Sequence, residues 1–585
     1  MLTIEYNYEE VPLQKVDENI KVLDLPDLTK EEKNILDPLV APTSGLRIEL
    51  CKAKEEGTHL KLTLDQRRLF LFLRFYKALS VKFKEMHDEQ NPNVLIVTDD
   101  RPTAGMLLSY CSQIFAYDGY NVIHQEGETN KSLVSSPYGA AAVALYDDID
   151  LVLVLTASHN ELEWNGIKFY IDYPMPMSGD MFKEISAIAL DLEEIHFKTD
   201  FSPQFRNVIQ QNNDYIINLL SKIIEIKSIR NKDIIIWPYL GKGRGLVELF
   251  ENLGANVHII EETLNPPNPI KTFPEKKLKN KMNETNSDIA LLLDADRDRI
   301  ALYVKQDGKY MYYIPNEIYS AMHNILAKEY NKHILNVRTI PSDLRGDESS
   351  LMNILTGVGY KHLGIILYFL LDVEVEQSKI DSAILYLEDE KNKLVQVKQP
   401  EPLKQAVRKR IKNKGLEEST IIIVMWEESG GHTLNVLNLS NDSANDVSNF
   451  RTDFTLIADK YPVPALVIIT ELLCRGHIIT ESIDWSIKGI NQTIDANDEE
   501  KLKIMENFEA EDGKTITIGS KDYDITALYD NSGQIEIYQL KSSDSTLYFR
   551  PSGTSPTVRF YIFGDKDTYL EEMERVKSYV KQNYV

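Results

Sequence analysis

The sequence predicts an α/β protein with mainly parallel or mixed sheets, divided into about four domains. Short apolar runs such as NVLIVT at Asn93–Thr98 and DIALLL at Asp288–Leu293 alternate with stretches of helical spacing such as Leu64–Phe83 and Thr103–Ala116. At roughly 150 residues per domain, 585 residues correspond to about four domains. Hydrophobic residues make up 43% and charged residues 26%, the balance of a chain that buries cores, which excludes wholesale disorder and collagen-like repeats.

The charge narrows the function. Lys and Arg total 65 against 90 Asp and Glu, a net charge of −25. An acid excess of that size argues against a dedicated binder of nucleic acid or of an anionic membrane. It leaves room for a phosphorylated small substrate, because a site can be locally basic. Cys51, Cys111 and Cys474 are far apart and form no CxxC pair, so neither a disulfide scaffold nor a structural zinc site is expected. The opening MLTIEYNYEE has no basic or apolar segment of a signal peptide. The longest apolar runs, Leu363–Leu371 and Ala465–Cys474, fall short of the roughly 20 residues of a membrane span, and the second contains Glu471. A cytoplasmic protein with no membrane partner is expected, as a monomer or a homodimer. The Leu363–Leu371 helix offers an apolar face to a second subunit.

Taken in order, the first 40 residues read as an acidic, weakly patterned arm leading to Pro42-Thr43-Ser44-Gly45-Leu46-Arg47. The helix Leu64–Phe83 follows, then the strand Asn93–Thr98 ending in Asp99-Asp100-Arg101, the helix Thr103–Ala116 and the strand Asn121–His124. The strand Leu151–Leu155 ends in Thr156-Ala157-Ser158-His159-Asn160. The pattern restarts with the strand Asp233–Trp237, the helix Gly245–Leu253, the strand Asn256–Ile260 and the strand Asp288–Leu293, which ends in Asp294-Ala295-Asp296-Arg297-Asp298-Arg299. It restarts again with the helix Asn316–Tyr330, the strand His333–Val337 and the strand Thr420–Met425, followed by Trp426-Glu427-Glu428-Ser429. Near the end, Ser543–Phe549 precedes Arg550-Pro551-Ser552-Gly553-Thr554 and the strand Val558–Ile562, and a charged helix closes the chain. Leu264–Glu275 and the charged stretch Glu374–Glu418 read as linkers, and Ser440–Asn449 as a mobile polar loop.

Four polar loops at strand ends carry the chemistry, spaced at nearly even intervals. Strand ends are where open α/β sheets form ligand sites, so one loop for each of four domains would converge on one cleft. Asp294, Asp296 and Asp298 alternate in a tight turn, and three carboxylates there suit a hard cation such as magnesium or calcium. An EF-hand fails, because Arg299 and Lys305 stand where it needs Gly and Glu. Ser158 follows an apolar strand and is placed as a nucleophile or phosphoryl carrier, while a side-chain cap is its plainer explanation. Thr-Ala-Ser-His-Asn lacks the GxSxG of a serine hydrolase. Arg550, Ser552, Gly553, Thr554 and the nearby Arg559 combine guanidiniums, hydroxyls and free backbone N–H groups, the elements of a phosphate cradle. Glu427 and Ser429 can hydrogen-bond sugar hydroxyls. Gly241-Lys242-Gly243-Arg244-Gly245 lacks both the P-loop and the dinucleotide spacing and reads as a strand–helix turn.

In this order and spacing the four loops resemble those of the α-D-phosphohexomutase family, which includes phosphoglucomutases, phosphomannomutases and phosphopentomutases. The resemblance runs from about Pro42 to the C-terminus. It implies four domains around a central cleft, three α/β domains with mixed sheets and a smaller α+β C-terminal domain. On this chain they would fall at 1–205 (the phosphoserine loop), 206–312 (magnesium), 313–480 (sugar recognition) and 481–585 (phosphate binding). Ser158 looks like the phosphoserine and a magnesium ligand, and Asn165-Gly166-Ile167-Lys168 resembles the segment that brings a lysine to the reacting oxygens. Asp294, Asp296 and Asp298 match the magnesium loop, Arg299 its trailing arginine, and Glu427 and Ser429 the sugar loop. Arg550, Ser552, Gly553, Thr554 and Arg559 match the distal phosphate loop. Arg47, His159 and Lys361 are the remaining substrate-binding positions implied. The aromatic in Trp426-Glu427-Glu428-Ser429 is similar to the longer branch, with its bacterial phosphoglucomutases and eukaryotic phosphopentomutase-like enzymes.

Glu161 stands where the family usually has proline, Ile48 and Thr103 replace smaller residues, and the helix after Lys361 is unusually apolar. These mark a divergent member. The resemblance implies a phosphosugar mutase that uses Mg2+ and passes a phosphoryl group between Ser158 and a phosphorylated monosaccharide through a sugar 1,6-bisphosphate. Glucose phosphate is the leading substrate, with mannose and pentose phosphates as alternatives. Lys168 would transfer a proton and Arg299 would stabilise charge. A silent phosphosugar-binding relative and a magnesium-dependent phosphatase are the rivals.

Overall fold

Five consecutive buried aliphatic residues form the strand Leu151–Leu155, and similar runs form Asn93–Thr98, Asp233–Trp237 and Ile289–Leu293. Such runs suit parallel strands covered on both faces. The computed structural model describes residues 2–38, 42, 45–87, 90–127, 131–388, 394–442, 447–551 and 557–584. The chain forms two units, Met1–Pro315 with Phe454–Arg475, and Asn316–Asp453 with Gly476–Val585.

The first unit holds a six-stranded sheet in the order Gln204–Arg206, Asn121–Gln125, Asn93–Thr98, Leu151–Leu155, Trp164–Ile171, Leu46–Glu49. The first four strands are mutually parallel, and the last two run antiparallel to their neighbours. A five-stranded sheet repeats the plan: Asn256–Ile259, Asp233–Trp237 and Ile289–Leu293 are parallel, then Ile300–Gln306 and Lys309–Tyr313 turn back antiparallel. In the second unit, Met352–Thr356, His333–Thr339 and Ile421–Trp426 are parallel within a seven-stranded sheet, and His432–Asp442 returns antiparallel beside Ile421–Trp426. The last sheet is antiparallel throughout its six strands. All four chemistry-bearing loops therefore connect a strand to its antiparallel neighbour. This shared topology makes an α/β fold with mixed sheets.

Four sequence expectations need correction. The N-terminal arm is ordered structure: Thr3–Asn7 lies parallel to His59–Leu64, Ile20–Asp24 pairs with Glu194–Lys198, and the helix Lys30–Leu36 begins with a Thr29–Glu32 capping box. Each of those strands is half exposed, so its apolar signal is thin. The stretch read as a linker at 374–418 contains Leu385–Glu388 and Leu394–Gln396, which extend the seven-stranded sheet. It also contains the helix Pro400–Asn413, which buries Leu403, Val407 and Ile411 on one face. The polar loop expected at 440–449 is largely strand, pairing His432–Asp442 with Val447–Arg451, while 443–446 lie outside the described residues. Finally, the helix Tyr360–Leu371 needs no second subunit to cover it, because Leu363, Ile366, Leu367 and Leu370 are already buried within its own unit. Among the described residues no helix is long and apolar enough to cross a membrane.

Candidate functional site

Ser158 is fully buried and sits in the left-handed region at φ +55°, where a non-glycine residue is strained. Side chains from the turn after Asn93–Thr98 hold it there. The guanidinium of Arg101, also fully buried, donates from Nη2 to the carbonyls of Ser158 at 2.7 Å and Asn160 at 2.8 Å. Its Nη1 donates to Glu161 at 2.6 Å and Trp164 at 2.9 Å, and its Nε to Asp99 at 3.1 Å. The Ser158 N–H donates to Thr156 Oγ1 at 2.8 Å, and that hydroxyl donates to Asp99 Oδ2 at 2.7 Å. Burial pushes Asp99 up to about 6, against the pull of Arg101 and Thr156. The strained serine is thus held by a network of donors around one carboxylate.

The three aspartates are equally buried, and one oxygen of each lies within 4.8 Å of the others. Asp294 Oδ2, Asp296 Oδ1 and Asp298 Oδ1 are buried without a hydrogen-bond partner, so each triad member keeps a bare acceptor. Burial and the two neighbouring aspartates hold Asp294 well above the usual carboxylate range. Burial also opposes ionisation of Asp298, but Lys460, Lys168 and Arg299 outweigh it and hold that carboxyl well below the range. A converging set of bare oxygens fits a hard divalent cation such as Mg2+.

Lys168, on the strand Trp164–Ile171, donates from Nζ to Ser136 Oγ at 2.8 Å, Asp296 Oδ2 at 2.8 Å and Asp298 Oδ2 at 3.2 Å. Burial disfavours its charge, yet Asp296 and Asp298 overcome this and raise its pKa, so it is an ammonium here. Arg299 Nε lies 3.6 Å from Asp298 and 3.9 Å from Asp294. Arg47 pairs across the sheet with Gly166 and reaches Asn160 Oδ1 at 3.5 Å. His159 Nδ1 is 3.3 Å from Ser158 Oγ, and burial with Arg299 and Arg47 pushes that imidazole far below its ordinary pKa, leaving it neutral. The first unit therefore holds two bonded groups, one of Arg47, Ser158 and His159 around the Ser158 loop, the other of Lys168, Asp294, Asp296, Asp298 and Arg299 around the aspartate loop.

In the second unit, the Glu427 N–H donates to the Gly431 carbonyl at 3.0 Å, closing the loop that Tyr319 pins with an O–H donated to the Gly430 carbonyl at 2.6 Å. Ser429 Oγ donates to Glu427 Oε1 at 2.5 Å. Lys361 begins the helix Tyr360–Leu371, whose Tyr360 hydroxyl donates to the Met425 carbonyl at 2.7 Å, on the strand that enters this loop. Burial together with Lys361 and Arg550 pushes His362 far below its ordinary pKa. Arg550 and Arg559 are directly paired residues on the antiparallel strands Thr546–Pro551 and Thr557–Asp565. Ser552, Gly553 and Thr554 lie outside the described residues, as do Thr43 and Ser44.

Residues 62–196 match the sequence profile described as phosphoglucomutase/phosphomannomutase, alpha/beta/alpha domain I, a span that contains Ser158, His159 and Lys168. A phosphoglucosamine mutase of Campylobacter jejuni is 24% identical over 300 residues, 46% of this chain and 64% of that protein. Another, from Dictyoglomus thermophilum, is 27% identical over 247 residues, 40% of this chain and 50% of that protein. Among solved structures, the Paramecium phosphoglucomutase pp63/parafusin superposes with a TM-score of 0.59 at 15% identity, covering 97% of this chain and 98% of its own. A phosphoglucomutase/phosphomannomutase family protein from Burkholderia thailandensis gives 0.57 at 15% identity, with 94% and 99% covered. Residues 62–196 thus resemble domain I of phosphoglucomutases and phosphomannomutases, and the fold of the chain is similar to that of solved phosphohexomutases. The chain spans less than two thirds of the length of the curated relatives it matches, and its likeness to the solved structures is one of fold.

Some residues of this candidate site carry no signal in the sequence. Lys460 Nζ lies 3.9 Å from Asp298 Oδ2, and the neighbouring Asp459 accepts from the Tyr170 hydroxyl at 2.7 Å. Both belong to the segment Phe454–Arg475, which joins the first unit across a long insertion. Arg101 is visible only as the end of a strand, because its four carbonyl acceptors leave no mark in side-chain sequence.

Proposed function

We propose that the protein is a phosphosugar mutase that interconverts sugar 1-phosphate and sugar 6-phosphate, with glucose phosphate as its leading substrate. The observation that carries this reading is the strained, buried Ser158 in the same unit as Lys168 and three aspartates that each retain a bare oxygen. Ser158 carries the phosphoryl group. In the first half-reaction the P–O bond to Ser158 Oγ breaks while one forms to the free sugar hydroxyl, whose proton ends on Ser158 Oγ in place of the phosphoryl group, and the product is a sugar 1,6-bisphosphate. The bisphosphate turns over in the site, and its other phosphoryl group returns to Ser158.

Asp294, Asp296 and Asp298 would hold Mg2+, with the Ser158 phosphoryl group as a further ligand. Bound Mg2+ supplies neutralisation of the charge on the transferring group. Arg299, beside Asp294 and Asp298, lends positive charge to the same region. Lys168 is the proton-transfer candidate, and its raised pKa sets the polarity: it meets the substrate as an ammonium, able to give a proton before it can accept one. His159, neutral and 3.3 Å from Ser158 Oγ, is assigned to substrate binding. Arg47, Lys361, Glu427, Ser429, Arg550, Ser552, Gly553, Thr554 and Arg559 are assigned to substrate. The glutamate and Ser429 meet hydroxyls, and Arg550 and Arg559 the phosphate that is not reacting.

The test is a panel of glucose, mannose, N-acetylglucosamine, glucosamine and pentose 1-phosphates, with Mg2+ and a catalytic amount of bisphosphate. The reading predicts isomerisation of at least one sugar phosphate with phosphate conserved. Net phosphate release would make the protein a phosphatase, and no turnover on any sugar would leave a binding protein.

A further inference from the structure

Asp100 and Arg297 are not among the groups assigned to substrate or metal, yet they join the two loops that are. Arg297 lies inside the aspartate loop, between Asp296 and Asp298, at φ +63°, a backbone region that favours glycine. Its side chain is buried and donates from Nη2 to Asp100 Oδ2 at 2.7 Å. Asp100 sits between Asp99 and Arg101, the residues that hold the Ser158 loop. Its carboxylate is also seated against the backbone of Gly241, where a Cβ would come within 2.1 Å of it. The turn Asp99–Arg101 therefore grips the serine loop through Arg101 and the aspartate loop through Asp100, with no room for Asp100 to move toward Gly241.

We propose that Asp100 and Arg297 form a positioning pair that fixes the aspartate loop in register with the Ser158 loop, an inference that rests on the phosphoserine reading above. Arg297 accepts a strained backbone because its guanidinium is the link. Phosphoryl transfer depends on placement, so slackening this link costs rate even though neither residue touches the reacting atoms.

The test is a double-mutant cycle of Asp100→Asn and Arg297→Gly, read both on turnover and on Mg2+ binding by calorimetry. Arg297→Gly relieves the left-handed backbone, so a stability loss and a positioning loss separate. A positioning pair predicts that each single variant loses about tenfold or more in kcat with the sugar KM within about twofold, and binds Mg2+ more weakly. The double variant then falls no further than the worse single. Additive losses would overturn the pairing. So would variants that lose thermal stability while keeping wild-type kcat and Mg2+ binding. If the wild-type protein turns over no sugar phosphate, the phosphoserine reading fails by itself, and the calorimetric cycle still decides the pair.

Discussion

Arg550 and Arg559 face each other across adjacent antiparallel strands. Like charges directly opposite in a sheet are destabilising, by about 0.2–1 kcal/mol, unless an anion lies between them. Burial lowers the pKa of Arg550, but Tyr561 and Glu428 outweigh it and raise it, so its charge persists. Arg559→Met is expected to leave the ligand-free protein as stable or slightly more stable. It should abolish the rise in thermal midpoint that inorganic phosphate or a sugar phosphate gives the wild type. A thermal-shift titration of both proteins checks this.

Ser158→Ala should fold normally, because the Ser158 hydroxyl makes only a long contact to His159 at 3.3 Å among the described residues, and the loop is held through its backbone carbonyls. Stability is expected to stay within about 0.5 kcal/mol of wild type. Isomerisation should fall to background, and the intact mass should show no phosphoryl group after incubation with sugar bisphosphate.

Asp296→Asn removes one of three mutually repelling carboxylates that also pairs with Lys168. The variant should lose the stabilisation that Mg2+ gives the wild type, about 2.7 kcal/mol when the ion is at 100 times its Kd. Chelation should reverse that stabilisation in the wild type and change nothing in the variant. Calorimetry with Mg2+ and with a chelator checks both halves.

Acid should destabilise the protein through buried histidines. Burial pushes His124 down to about 4 and His323 to about 3, and His362 and His432 lie well below their ordinary value. His323 and His432 also meet at 3.1 Å through their Nε2 atoms, so one serves as donor and the other as acceptor, and charging both would set two cations in contact. Each folded pKa lies below the unfolded value of about 6.5, so the unfolded chain takes up protons first as pH falls. Stability is fully present above pH 6.5 and declines from there toward pH 4 and below. His124 alone contributes on the order of 3 kcal/mol. A thermal-midpoint profile between pH 4 and 8 should show this fall.

What the sequence made legible follows from how strongly each element advertises its burial. The strand Leu151–Leu155 was readable because all five positions are apolar, and the aspartate loop because three carboxylates alternate in one turn. Thr3–Asn7 was not, since only Ile4 and Tyr6 point inward. The strand Leu385–Glu388 is only four residues long and hid between charged stretches, and its neighbour Leu394–Gln396 is an edge strand, where polar residues are tolerated. Lys460 reached Asp298 through a chain return of more than a hundred residues, which no local pattern encodes. Arg297 was visible in the aspartate loop, but its partner Asp100 lay in a distant turn, and only the fold pairs them.

The most direct measurement is a single turnover. The protein is first phosphorylated, the site is mapped by peptide mass, and one equivalent of glucose 1-phosphate is added with Mg2+ while 31P NMR follows the phosphoryl group. The account predicts that the group starts on Ser158, leaves it as glucose 1,6-bisphosphate forms, and returns as glucose 6-phosphate appears, with no inorganic phosphate accumulating. A group found on another residue, or one that passes only to water, would contradict it.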